Sequence, residues 1–117
     1  MDHIEIKAQE RLLFELVNHR DFNAADRWID EHLAEDFVNH SPSFDVDPNR
    51  EGLKIMLRKL IEVFPDLQFD IREIALDGDI MFFRAIIYNM GSEDASDAMV
   101  MLRYKNGKIT DRYAMVA

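Results

Sequence analysis

Apolar residues recur at three- and four-residue spacing through the first half of the chain and at two-residue spacing through the second, so helices come first and strands after. From Glu5 to His19, Ala8, Leu12, Leu13, Leu16 and Val17 mark one face of a predicted helix, with Arg11, Glu15 and Asn18 on the other. Asp21 is placed to N-cap a second helix striped by Ala25, Trp28, Ile29 and Leu33. Asp36 to Pro42 reads as a short extended segment, because Pro42 stops any regular element. The composition of 43–49 predicts a loop. Asp47-Pro48, a cap followed by proline, starts a third helix. It carries Leu53, Met56, Leu57, Leu60, Ile61 and Phe64 and ends at Pro65.

Beyond Pro65 the period changes to two. Leu67, Phe69 and Ile71 alternate with polar residues, and Ile74 and Leu76 continue on the opposite parity. A β-bulge near Arg72-Glu73 accounts for the slip and bends the strand. Asp77-Gly78-Asp79 is a hairpin turn. Ile80 to Met90 is a nearly continuous apolar run, as expected of a strand covered on both faces. Gly91 to Asp97 is a polar loop, and Ala98 to Tyr104 is a further strand. Asn106-Gly107 is a hairpin signal that leads into a last strand, Ile109 to Val116. The expected class is α+β: N-terminal helices packed on a strongly curved antiparallel sheet that encloses a small apolar pocket, as a single domain over 1–117.

Composition narrows the chemistry. At 117 residues, 48% apolar and 32% charged, the chain has enough apolar matter for one core. The net charge of −9 disfavours nucleic acid and anionic membrane as partners. No apolar run reaches the ~20 residues of a membrane span. Met1-Asp2-His3-Ile4-Glu5 lacks the basic start of a secretory signal, so the cytoplasm is the expected compartment. There is no cysteine. His3, His19 and His32 show no ligand spacing, so no metal is expected. No glycine-rich phosphate loop or nucleophile elbow is present, and no cofactor is expected.

Four segments occur in order: Asp36-Phe37-Val38-Asn39-His40-Ser41-Pro42, Asn49-Arg50-Glu51-Gly52-Leu53, Phe64-Pro65-Asp66-Leu67 and Asn106-Gly107-Lys108-Ile109-Thr110-Asp111-Arg112-Tyr113. In these the chain resembles the SnoaL-like polyketide cyclase family of the NTF2-like superfamily, over nearly its whole length. The resemblance implies a cone-shaped barrel, a pocket at its wide end and a homodimer through the sheet. It also implies a cofactor-free cyclase, isomerase or dehydratase using acid–base catalysis on an apolar carbonyl compound. The alternative is a non-catalytic small-ligand-binding or dimeric interaction module of the same fold. Two elements depart from the family pattern. Tyr88-Asn89-Met90-Gly91-Ser92 stands where relatives often carry a histidine, and Ala114 stands where they often carry a last acid.

Asp111 leads the candidates for chemistry. Ile109, Asp111, Tyr113 and Met115 share a strand face, and its mostly apolar character predicts that it turns inward. A carboxylate there is desolvated, which raises its pKa towards the range of a general acid or base. His40 is second, as a neutral imidazole able to take a proton; a shift of one residue would put Asn39 there instead. Tyr113, Trp28, Phe14 and Phe83 are candidate pocket walls, with Met99 and Met101 as a deformable lining. Arg84 and Arg103 are expected to point outward.

Overall fold

The computed structural model describes residues 3–91 and 93–116. Met1, Asp2 and Ser92, which belong to the N-terminal and Gly91–Asp97 segments read above, lie outside the described residues. Helix α1 (His3–Asn18) buries Glu10, Leu13 and Val17, residues three and four apart on one face. Helix α2 (Phe22–His32) starts where expected, with the Asp21 side chain accepting from the Ala24 N–H at 3.2 Å, and buries Ala25, Trp28 and Ile29. Helix α3 (Arg50–Val63) starts later than Asp47-Pro48 predicts. Asn49 is the cap, its side chain accepting from the Gly52 N–H at 2.8 Å. The Pro48 carbonyl is instead taken by the Asn39 N–H, which keeps 47–48 in the loop.

The strands are β1 (Leu33–Asn39), β2 (Gln68–Asp77), β3 (Ile80–Tyr88), β4 (Ser96–Lys105) and β5 (Lys108–Val116). They form one five-stranded sheet in the order β1-β5-β4-β3-β2. The consecutive hairpins β2 to β5 pair antiparallel, as predicted. The β1–β5 pair is parallel, so β1 adds a parallel edge to the expected antiparallel sheet. The chain leaves β1 for helix α3 and returns to the sheet at the far edge, so no hairpin constrains its direction. The register breaks between Ile71 and Ile74, where the bulge was expected. At the β4–β5 turn, Asn106 and Gly107 have φ of 54° and 78°, as a tight hairpin of this kind needs. Three helices against this curled sheet make an α+β fold.

Strand alternation divides the sheet into two faces. Met81, Phe83, Ala85 and Ile87 of β3 and Ala98, Val100 and Leu102 of β4 turn towards the helices and are buried. Only that face of β3 is covered. Phe82 stands half exposed on the other, so the expectation of cover on both sides is corrected. Polar side chains at the end of α1 and just beyond it tie the helix to β2 and the residues that lead into it. Asn18 brackets Phe69, donating to its carbonyl and accepting from its N–H, both at 2.8 Å. Arg20, at the C-terminal end of α1, donates to the carbonyls of Val17, Asn18, Pro65 and Leu67. These bonds hold the C-terminal end of α1 against the entry to β2. No helix among the described residues is long and apolar enough to cross a membrane.

Candidate active site

Between the helices and the inner face of the sheet lies a cavity of about 180 Å³. Trp28 and Phe14 from the helices, and Phe83 from β3, line it as the sequence predicts. Leu33, Leu102 and Ile109 are buried at one end, whereas Phe44 and Val116 are exposed at the other, which is therefore the mouth. Almost all of the lining is aliphatic or aromatic.

Into this lining α1 inserts Glu10, which is 4% exposed. One carboxyl oxygen, Oε2, is buried with no protein partner, and so is the Nε1 of Trp28. Desolvation pushes the Glu10 carboxyl up to about 7, against the smaller opposing pull of the Arg112 charge. Burial also raises the Tyr104 phenol, with the Glu10 charge adding to it.

Arg112 enters the cavity wall from β5. Its Nη1 donates to Asn39 Oδ1 at 3.0 Å and to the Ser41 carbonyl at 3.3 Å, both neutral acceptors. Among the described residues no carboxylate reaches ion-pair distance of this guanidinium. Desolvation depresses its pKa, and Glu10 counters in part. Asn39, 1% exposed, is the hinge of the cluster. Its Oδ1 also accepts from the Ser41 N–H at 3.1 Å, while its amide nitrogen lies 3.9 Å from Met56 Sδ. Among the described residues no three His, Asp or Glu side chains converge as a metal site needs.

The structure corrects the predicted inward face of the last strand. Tyr104 pairs with Ile109 and Arg103 pairs with Asp111, so Thr110 is an extra residue between them. A single extra residue in a strand reverses the parity of everything after it. Ile109 points inward, but Arg112, Ala114 and Val116 then follow it to the cavity, and Asp111, Tyr113 and Met115 turn outward. His40 is outward too, since its inward neighbour is Asn39. His40 Nε2 meets Asp111 Oδ1 at 2.8 Å, and the imidazole stacks flat on Tyr113 with ring centres 4.2 Å apart. The hydrogen bond from His40, with a second from Thr110, lowers the Asp111 pKa rather than raising it. Met99 and Met101 also leave the predicted lining: they sit on the outer face, Met99 52% exposed, because they alternate with buried Ala98, Val100 and Leu102. Arg84 is outward as expected, bound to Glu73 and Asp97.

Glu10 and Arg112 are the residues that the sequence reading missed. Glu10 had a signal. It lies three residues before Leu13 and seven before Val17, on the buried stripe of α1. Arg112 had none, because both faces of β5 carry apolar residues and parity alone does not choose between them.

Three helices on a curled five-stranded sheet, with a cavity and a buried carboxyl between them, define a domain of NTF2-like fold. The SnoaL-like domain family matches residues 11–112, and the chain belongs to that family. No curated protein matches it. Among solved structures it is similar to TsrD from Streptomyces laurentii (14% identity, 99% of this chain and 90% of that one, TM-score 0.79). It is also similar to IdmH, a proposed polyketide cyclase from Streptomyces antibioticus (21% identity, 94% and 90%, TM-score 0.72). A proposed isomerase of the SnoaL-like family from Agrobacterium tumefaciens aligns over 98% of this chain and 97% of its own at 14% identity, with a TM-score of 0.79. At these identities the likeness is one of fold.

Proposed function

We propose that this protein binds a small apolar carbonyl compound and moves a proton on it without a cofactor, as a cyclase, isomerase or dehydratase would. The observation that carries the proposal is Glu10: a carboxyl in an apolar cavity, held near pH 7, able both to accept and to release a proton under ordinary conditions. In this scheme Glu10 removes a proton next to the carbonyl group. Negative charge then develops on the carbonyl oxygen, where the Trp28 N–H and the Arg112 guanidinium supply positive potential in a low-dielectric site. The proton returns from Glu10 to a different atom or completes elimination of a leaving group. Asp111 and His40 take no part, since they lie on the other side of the sheet.

Hydrogen–deuterium exchange at the α-carbon of cyclohexenone, followed by NMR, tests this. The wild-type protein is expected to speed exchange, with a rate that rises through about pH 7 as Glu10 ionises. Glu10→Gln should lose roughly 100-fold or more of it. Asp111→Asn should retain it. Full exchange activity in Glu10→Gln would rule out the assignment.

The outer face of the sheet supports a second copy of the chain as partner. Phe82 pairs with Met101 and Met101 with Tyr113, and in the next row Met99 pairs with Met115, which is 71% exposed. A contiguous apolar surface of this kind marks an association site. The protein should elute as a dimer at micromolar concentration. Met99→Glu should elute as a monomer, and a wild-type monomer at that concentration would contradict the proposed assembly.

A further inference from the structure

The Arg112 guanidinium is a half-buried, largely desolvated cation whose hydrogen-bond partners among the described residues are neutral, the Asn39 amide and the Ser41 carbonyl. Taking a charge out of water without a counter-charge is costly, and a site that does so is complementary to a ligand bringing the opposite charge. Only Nη1 is engaged in these bonds, which leaves Nε and Nη2 to form the two-pronged donor that fits a carboxylate. The other ionisable group in the lining is Glu10, which is mostly neutral below about pH 7. Below that pH the cavity carries the positive charge of Arg112 in an otherwise apolar lining. Its volume, about 180 Å³, sets the size of what fits. A cavity of about 150 Å³ accepts benzene.

From this charge, donor geometry and volume we infer that the ligand is a carboxylic acid of one-ring size. Its carboxylate sits on Arg112, its apolar body fills the space between Phe14, Phe83 and Met56, and the Trp28 N–H remains free for a second oxygen. The inference rests on the proposed function in taking this cavity as the substrate site, and it makes the carbonyl substrate a small keto or unsaturated acid.

Binding of benzoate, benzamide and anthracene-9-carboxylate to the intact protein tests it, read by calorimetry and by the fluorescence of the one tryptophan, Trp28. Benzoate should bind about tenfold or more tightly than benzamide at pH 6, because a hydrogen-bonded ion pair replaces a neutral contact. Equal or tighter binding of benzamide would overturn the inference, as would no binding of benzoate at millimolar concentration. Tighter binding of the three-ring acid than of benzoate would overturn the size limit. Arg112→Met should abolish the preference for benzoate, whereas Arg112→Lys should keep part of it. If neither variant folds, the three ligands on the wild-type protein still decide.

A second readout separates this from adventitious anion binding. The charged or titratable groups around the Glu10 carboxyl are Arg112 from β5 and Tyr104 from β4, with His32 stacked on Trp28 at 4.5 Å. Once ionised, Glu10 repels a bound carboxylate. Benzoate affinity should therefore fall between pH 6 and pH 8 in the wild type and much less in Glu10→Gln. An unchanged fall in that variant would place the benzoate away from Glu10 and overturn the site. Loss of ketone exchange with the benzoate preference intact would sink only the proton-transfer proposal. The converse result would sink only the carboxylate.

Discussion

Glu10→Gln is expected to make the protein more stable at pH 8 while destroying the proton transfer proposed for it. The carboxyl is buried, and in the folded chain its pKa stands at about 7 instead of the ordinary 4.5. Between those two values the folded state holds a proton that the unfolded state has released, so stability falls as pH rises across this window. Lifting a buried carboxyl that far corresponds to about 3 kcal/mol. The contribution is fully retained below about pH 4.5 and lost above about pH 7. Glutamine stays neutral throughout. The variant should match the wild type in acid and exceed it by about 3 kcal/mol at pH 8, measured by urea unfolding at each pH. Parallel pH profiles for the two proteins would show that Glu10 is not held neutral by burial. Such a gain would mark Glu10 as a residue kept at the expense of stability, as active-site groups often are.

Gly52→Ala is expected to destabilise the fold strongly, opposite to the usual sign. Alanine for glycine inside a helix normally adds about 0.5–1 kcal/mol. Here a Cβ on Gly52 would fall 1.8 Å from the backbone carbonyl oxygen of Asp47 and 2.7 Å from its carbon. Both are main-chain atoms of the segment that leads into the Asn49 cap, and the cap itself bonds the Gly52 N–H. Either the loop or the first turn of α3 must move. The substitution should cost about 3 kcal/mol, the upper end for overpacking, and lower the urea midpoint without changing the slope. A midpoint equal to or above that of the wild type would show that the 47–49 segment yields freely. The clash also gives a reason for glycine in Arg50-Glu51-Gly52: it lets the loop at the cavity mouth close down on α3.

Most of the fold was legible because local signals agreed with one another. Asp21, Asn106-Gly107 and the slip after Ile71 each mark a boundary by chemistry that acts within a few residues. The parallel pairing of β1 with β5 was not legible, since it joins residues some seventy positions apart and neither strand announces its partner. The site divided in the same way. Trp28, Phe14 and Phe83 follow from helix stripe and strand alternation. Asp111, His40 and Tyr113 lie together, but on the outer side of the sheet. Their face looked inward because it is apolar, and it is apolar because the outer surface of this sheet is. Glu10 was hidden among the many acids of a strongly acidic chain, and only its place on the stripe separates it from those in solvent.

The extra residue at Thr110 has a consequence for comparing relatives. Before it and after it, the same strand shows opposite sides to the cavity. Two homologues that differ by one residue at this point could carry identical motifs and present opposite β5 chemistry to the cavity, an aspartate in one and an arginine in the other. Equating their last-strand acids column by column would then match groups separated by the thickness of the sheet. In a family whose members share so little identity, one inserted residue is a small evolutionary step that exchanges Asp111 for Arg112 on the β5 wall of the chamber and leaves Glu10 of α1 where it was.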